Sequence, residues 1–259
     1  MQNQILLFDE ADGIVTLTLN DPDKYNTLSE EMLDALEAAI ARIAESKTAQ
    51  CLVIAAEGRA FSAGHNLKQM RANQDETYFI ALFARCGRFM QSLINLPVPV
   101  IAKVQGLATA AGCQLVASCD LAIASRQAKF AVSGVNLGLY CSTPAVALSR
   151  NIGRKRAFEM LTTGAFISAE QAAEWGLINR AVDPDMLDAA ISELTQSITA
   201  KSPVPQRIGK ALFYRQIEAP LTQAYDDAGQ TMAQNMMSAD AVEGIDAFIE
   251  KRDPKWTGK

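Results

Sequence analysis

Two short runs of small residues carry the chemistry to be expected of this chain. They are Phe61-Ser62-Ala63-Gly64-His65-Asn66-Leu67 and Gly106-Leu107-Ala108-Thr109-Ala110-Ala111-Gly112-Cys113-Gln114. Each follows an apolar, strand-like stretch and leads into a helix-like one. Small residues in such places let backbone N–H groups come close to a ligand and point at developing negative charge. Two such runs in one chain predict a pair of main-chain donors around one carbonyl oxygen. The first run also holds His65, the only histidine, whose unperturbed pKa lies near neutrality. No G-x-S-x-G is present and the lone histidine lies in the donor run, so a Ser-His-Asp triad is not supported.

The elements that must position these runs are legible from periodicity. Ile14 to Leu19 alternates apolar and polar and is rich in β-branched residues, which predicts a half-buried strand. Asn20-Asp21-Pro22-Asp23 predicts a turn. Thr27 with Glu30 has capping-box spacing, and Met32, Leu33, Leu36, Ile40 and Ile43 recur at helical spacing behind it. Cys51 to Ala56 is a continuous apolar run suited to a parallel strand buried on both faces. Residues 76–96 predict a long helix ended by Pro97 and Pro99, followed by a strand over 100–104. A short helix over 112–118 and a strand over 120–124 complete the pattern, with Asp120 expected to cap local backbone. Alternating strands and helices predict parallel pairing with right-handed crossovers. Ser202-Pro203-Val204-Pro205 is a breaker, and the chain beyond it is helical in pattern. The chain therefore divides into a core over 1–201 and a helical region over 202–259, the latter suited to oligomerisation or to a lid. Met232, Met236 and Met237 lie on a stretch too polar to form a core by itself.

Composition narrows the classes of function. The 259 residues are 49% hydrophobic and 20% charged, which suits one large α/β domain with a sizeable core. The net charge of −5 argues against nucleic acid and anionic membranes as partners. A polyanionic small ligand then needs a local cluster of Lys and Arg. The five cysteines, Cys51, Cys86, Cys113, Cys119 and Cys141, show no C-x-x-C spacing, and several sit in apolar runs. A reducing compartment fits them, and neither a metal site nor a disulfide framework does. Met1-Gln2-Asn3-Gln4 opens directly into a strand pattern, without a basic or Arg-rich leader. No apolar run approaches the ~18 residues of a membrane span. Together these predict a cytoplasmic protein, although a processed organellar chain would read the same way.

The two runs, their order and their separation resemble the crotonase, or enoyl-CoA hydratase/isomerase, superfamily. Residues 61–67 match its F-[SCA]-A-G-x-D-[LI] motif except at Asn66. Residues 106–114 match its G-x-[AC]-x-G-G-G-x-E motif except at Ala110, Ala111 and Gln114. Residues 20–24, 119–124, 161–164 and 172–177 add supporting matches, so the resemblance covers roughly residues 5–250. It implies a spiral α/β fold of strand-strand-helix turns with a C-terminal helical region, assembled as a homotrimer or a dimer of trimers. It implies an acyl-CoA ligand, with coenzyme A entering as part of the substrate and no covalently bound cofactor. The oxyanion hole implied is formed by the N–H groups of His65 and Ala111. Coenzyme A would lie along Ala63, His65, Asn66, Leu67 and Lys68, with Lys24 and Lys68 near phosphates and Arg59 and Arg71 close by.

The departures matter as much as the matches. The superfamily's hydratases use two glutamates, one closing the second motif and one four residues after the position of Phe130. Gln114 and Gly134 stand there. A Gln can position a water but cannot take its proton, and a Gly offers only backbone. Each missing acid–base group is worth about 10²–10⁴ in rate. Tyr140, Cys141, Ser142 and Asn136, in the loop expected to face the acyl group, are the remaining polar candidates. Decarboxylation of a malonyl-type thioester needs less, because it creates an enolate without removing a C–H proton. Thioester hydrolysis and non-catalytic thioester binding are the other readings the residues leave open.

Overall fold

The computed structural model describes residues 4–259, so the reading of Met1-Gln2-Asn3 lies outside the described residues. Along the chain run β1 (Leu6–Ala11), β2 (Ile14–Leu19), α1 (Glu30–Glu45), β3 (Cys51–Ala56), β4 (Ala60–Ser62), α2 (Leu67–Ala72) and α3 (Glu76–Asn95). Then come β5 (Val100–Val104), β6 (Leu107–Thr109), α4 (Ala111–Ser118), β7 (Leu121–Ser125), β8 (Lys129–Ala131), α5 (Ser142–Asn151) and α6 (Arg154–Thr163). The last part holds β9 (Ile167–Ser168), α7 (Ala169–Trp175), β10 (Arg180–Val182), α8 (Leu187–Thr199), α9 (Pro203–Ile217), α10 (Leu221–Met236) and α11 (Ala239–Glu250).

Asp12 and Gly13 turn β1 into β2 with positive φ at both residues, 51° and 79°, the conformation that Asp-Gly supplies most readily. The alternation in β2 buries Val15, Leu17 and Leu19 completely. The larger sheet runs β1-β2-β3-β5-β7-β10, antiparallel only between β1 and β2. A smaller sheet, β4-β6-β8-β9, is parallel except between β8 and β9. This mixed layering, largely parallel as the alternation of strands and helices predicted, is the α/β spiral that the family resemblance implied. The apolar run Cys51–Ala55 is buried throughout, as a strand covered on both faces must be.

Two local expectations need correction. Helix α1 is capped by Ser29, whose side chain accepts from the Met32 N–H at 3.2 Å, and not by Thr27. Leu28 is spent on a bridge to His65, which moves the helix start two residues on and leaves the Thr27 hydroxyl without a partner among the described residues. Helix α4 begins at Ala111, one residue earlier than the pattern indicated. That shift makes Ala111 the first residue of the helix, whose N–H has no intrahelical acceptor.

Helix α9 is fastened to the core by a buried ion pair. Lys210 Nζ donates to Asp120 Oδ2 at 2.6 Å and to the carbonyls of Leu93 and Val98 at 2.8 and 2.9 Å. Asp120 also accepts from the Val100 N–H at 2.6 Å and the Tyr214 hydroxyl at 2.7 Å, so it holds backbone as its position implied. Helices α10 and α11 carry outward-facing apolar side chains, among them Leu221, Tyr225, Met232, Met236 and Phe248.

Candidate active site

Strands β4 and β6 are parallel neighbours, pairing Ala60 with Leu107 and Ser62 with Ala108. The two small-residue runs therefore leave the same edge of one sheet, the carboxyl edge at which α/β folds place ligands. Glycine makes their approach possible. A methyl group on Gly112 would stand 2.1 Å from the Ser62 carbonyl oxygen, and one on Gly106 equally close to that of Arg59. A methyl group on Gly64, whose φ is +87°, would stand 2.9 Å from the Ala111 nitrogen. Thr109 adds a tie that sequence reasoning missed, its hydroxyl donating to the Ala63 carbonyl at 3.2 Å.

This packing consumes most backbone polar groups of the first run. The Ala63 N–H donates to the Tyr25 carbonyl, the Gly64 N–H to Ser62 Oγ, and the Gly64 carbonyl accepts from Leu28. Among the described residues, the N–H groups of His65 and Ala111 donate to no protein acceptor. Ala110, beside them, has φ +50° and ψ −120°, a backbone region that suits glycine. Strain of this kind at the start of α4 is held in place by the Ala110 N–H donating to the Ala131 carbonyl at 2.9 Å.

The two residues that carry these amides border a cavity of about 420 Å³. Ala63, His65, Leu67, Thr109, Ala110 and Ala111 contribute from the two runs. Ser133, Gly134, Leu137, Leu139, Tyr140, Cys141, Ser142, Thr143 and Pro144 close it from the opposite side, and Met70 and Phe83 from α2 and α3. The lining contains no carboxylate, lysine or arginine. Phe83 and Met70 carry no sequence signal of their own, since their spacing reads only as helix.

Gln114 is buried in α4 and does not line the cavity, and its Oε1 has no hydrogen-bond partner among the described residues. Gly134 does line it, but the space a side chain needs is filled. An added Cβ would meet the Leu139 carbonyl oxygen at 2.6 Å and Cys141 Sγ at 2.8 Å. The Gly134 N–H donates to that sulfur at 3.3 Å. Burial pushes the Cys141 thiol up, so it is neutral at physiological pH. Tyr140 lines the cavity and is half-exposed. Asn136 turns away, donating weakly to the Gly164 carbonyl at 3.5 Å, and is not part of the lining; the expectation that it faces the ligand is corrected.

His65 presents two faces. Its Nδ1 lies 3.3 Å from the Leu28 carbonyl, its ring meets Phe83 edge-on, and its Nε2 is buried without a partner among the described residues. Burial holds the imidazole below its ordinary pKa. Asn66, which departs from the motif's Asp, caps α2 by accepting from the Lys68 and Gln69 N–H groups at 3.0 and 3.2 Å, a task either residue performs.

The basic side chains divide. Lys24 is exposed and paired with Asp21 at 3.2 Å. Its loop is held by buried Asn26, whose Nδ2 donates to the Glu57 and Ala60 carbonyls, both at 2.8 Å. Arg59 is engaged with Tyr25, stacking over its ring and donating to its hydroxyl. Lys68 and Arg71 are exposed on α2.

Comparison with known proteins identifies the family and the fold. A family model described as enoyl-CoA hydratase/isomerase matches residues 9–259. The chain is 46% identical to the mitochondrial enoyl-CoA hydratase domain-containing protein 3 of Rattus norvegicus, over 96% of this chain and 83% of that protein. A crystal structure of the human enoyl-CoA hydratase domain-containing protein 3 superposes with a TM-score of 0.95 at 44% identity, covering 97% and 100% of the two chains. An enoyl-CoA hydratase structure from Mycobacterium smegmatis superposes with a TM-score of 0.96 at 56% identity, covering 97% and 98%. The mitochondrial relative overturns the expectation of a cytoplasmic protein. Free, buried thiols report a reducing environment but not which compartment supplies it, so composition had no means of separating the two. With its fold, its paired motifs and this similarity along nearly its whole length, the chain belongs to the enoyl-CoA hydratase/isomerase family.

Proposed function

We propose that the chain binds an acyl-CoA thioester with its carbonyl oxygen between the His65 and Ala111 N–H groups, and stabilises the enolate formed there. The observation that carries this reading is the pair of unspent amides beside an apolar cavity without a carboxylate. An enolate concentrates charge on the thioester oxygen, and one aligned donor is worth about 10²–10³ in rate. Coenzyme A, part of the substrate, runs along Ala63, Asn66 and Leu67, with Lys24, Lys68 and Arg71 available to its phosphates. Hydration by two glutamates is not the route, because the Gln114 amide is neither a general base nor a general acid near neutral pH and Gly134 has no room for a side chain. The neutral, buried Cys141 likewise argues against a thiolate nucleophile.

The carboxylate-free lining favours a second reading, decarboxylation of a malonyl-type thioester. The C–CO₂ bond breaks, CO₂ leaves, and its electron pair becomes the enolate held by the two amides. The substrate's own carboxylate meets no like charge in this cavity, while Tyr140 and Ser142 can orient it. Outward-facing apolar side chains of α10 and α11 support subunit contacts in a trimer or dimer of trimers, which multi-angle light scattering would size.

Calorimetry with coenzyme A and butyryl-CoA, followed by a turnover panel, tests the reading. Binding of thioesters, slow hydration of crotonyl-CoA and CO₂ release from malonyl-CoA or methylmalonyl-CoA are the expected results. Efficient crotonyl-CoA hydration that survives Gln114→Ala would overturn the account of these positions. Binding without any turnover would favour a non-catalytic thioester-binding protein, and absence of binding would end the acyl-CoA reading.

A further inference from the structure

The His65 side chain has no task in the chemistry above, which uses only its backbone. Nδ1 faces the Leu28 carbonyl at 3.3 Å, which makes Nδ1 the protonated nitrogen of the neutral ring. Nε2 is then a lone-pair acceptor, and among the described residues no donor reaches it. A buried acceptor left unpaired is costly, and such groups in native proteins ask for an explanation. His65 and Phe83, whose ring meets the imidazole edge-on with centroids 5.7 Å apart, both line the cavity. Nε2 itself is closed to bulk water, so a ligand group reaches it only when the side chains packed around it shift. Apart from His65, the titratable side chains of the lining are Tyr140 and Cys141, and neither is hydrogen-bonded to the imidazole.

We infer that His65 Nε2 is a specificity-determining acceptor, and that the acyl group this cavity prefers carries a hydrogen-bond donor, such as a hydroxyl, beyond the thioester carbonyl. The inference rests on the acyl-CoA reading and adds to it. An apolar acyl chain leaves the acceptor unpaired, whereas a hydroxyl of matching position satisfies it. Discrimination by a site built to pair a substrate hydroxyl is much stronger than discrimination by size alone.

The test is a comparison of dissociation constants for butyryl-CoA and its 2-, 3- and 4-hydroxy derivatives. At least one hydroxy isomer should bind about tenfold tighter than butyryl-CoA, and His65→Phe should reduce that ratio to within about twofold. Because His65 is the only histidine, ¹⁵N-histidine labelling of the unaltered protein gives a single imidazole. Its Nε2 resonance should shift with the preferred isomer and not with butyryl-CoA, a readout that does not depend on the variant folding. Equal binding of all four thioesters, a ratio that persists in His65→Phe, or an unmoved Nε2 resonance would overturn the inference and leave the acyl-CoA reading standing. Failure of butyryl-CoA and every isomer to bind would remove both.

Discussion

The two sides of the cavity are built on opposite principles. The side formed by residues 61–67 and 106–114 works with backbone, and its side chains matter mainly by being small. Gly64, Gly106 and Gly112 let two chain segments touch, and the reward is a pair of N–H groups with nothing inside the protein to bond. The side formed by residues 133–144 works with side chains and loop carbonyls, and there the room for a catalytic group has been filled by Cys141 and the Leu139 carbonyl. Substitutions are tolerated on the first side wherever the backbone path survives, as at Asn66, Ala110 and Ala111. On the second side a single change from a carboxylate to glycine alters the chemistry available. In the proposed reading the anion-stabilising frame is backbone, while the positions of the two missing carboxylates are divided, Gln114 at the end of the second run and Gly134 on the opposite side.

Several changes would break or sharpen this contrast. The largest effect is expected from Gly112→Ala, which drives a methyl group into the Ser62 carbonyl, a backbone atom that cannot swing away. It should cost about 3 kcal/mol in chemical denaturation and abolish thioester binding in calorimetry. Gly134→Glu should cost about 2 kcal/mol, by the crowding of Leu139 and Cys141, and should not create crotonyl-CoA hydration in a spectrophotometric assay. Adding Cys141→Ala should return only part of that stability, since the Leu139 carbonyl remains. If Gly134→Glu instead yielded a stable hydratase, the loop side would be no barrier and the contrast would fail.

Ala110→Gly should stabilise the protein by about 1 kcal/mol, because φ +50° with ψ −120° strains any residue with a Cβ. A lower melting temperature for this variant would show that the Ala110 methyl packs to greater effect than its strain. The smallest effect concerns pH. Burial holds the folded-state pKa of His65 below its unfolded value of about 6.5, so the unfolded chain binds more protons in that window. Stability should therefore fall as pH drops from about 6.5 towards 5, and His65→Phe should flatten this slope in denaturation curves at fixed ionic strength. With a single histidine in the chain, the window is free of other imidazoles.

Much of this site was legible in residue types alone, and the reason is that backbone chemistry leaves a strong signature. Small residues in two short runs can be read without knowing their partners, because what matters is where a Cβ is absent. The parallel strand Cys51–Ala56 and the long helix ending before Pro97 were legible for a similar reason, since burial on both faces and a missing N–H mark the sequence directly. The start of α1 was misread because Thr27 and Ser29 are both of a type that caps helices, and the bridge between Leu28 and His65 leaves the task to Ser29. Asn136 was misplaced for the same kind of reason, as a polar residue in a loop gives no sign of which way it turns.

By itself, the sequence determined the α/β class and the two runs that hold the free amides, because these depend on local spacing and on residue identity, while only the family resemblance marked Gln114 and Gly134 as the positions of the hydratases' glutamates. Tertiary structure alone decided that Gly134 has no space to regain a side chain, that Gln114 is withdrawn from the cavity, and that His65 Nε2 is left without a partner. Those facts depend on atoms brought together from Leu28, Phe83, Leu139 and Cys141, whose distances from one another are set by packing and leave no trace in the order of residues.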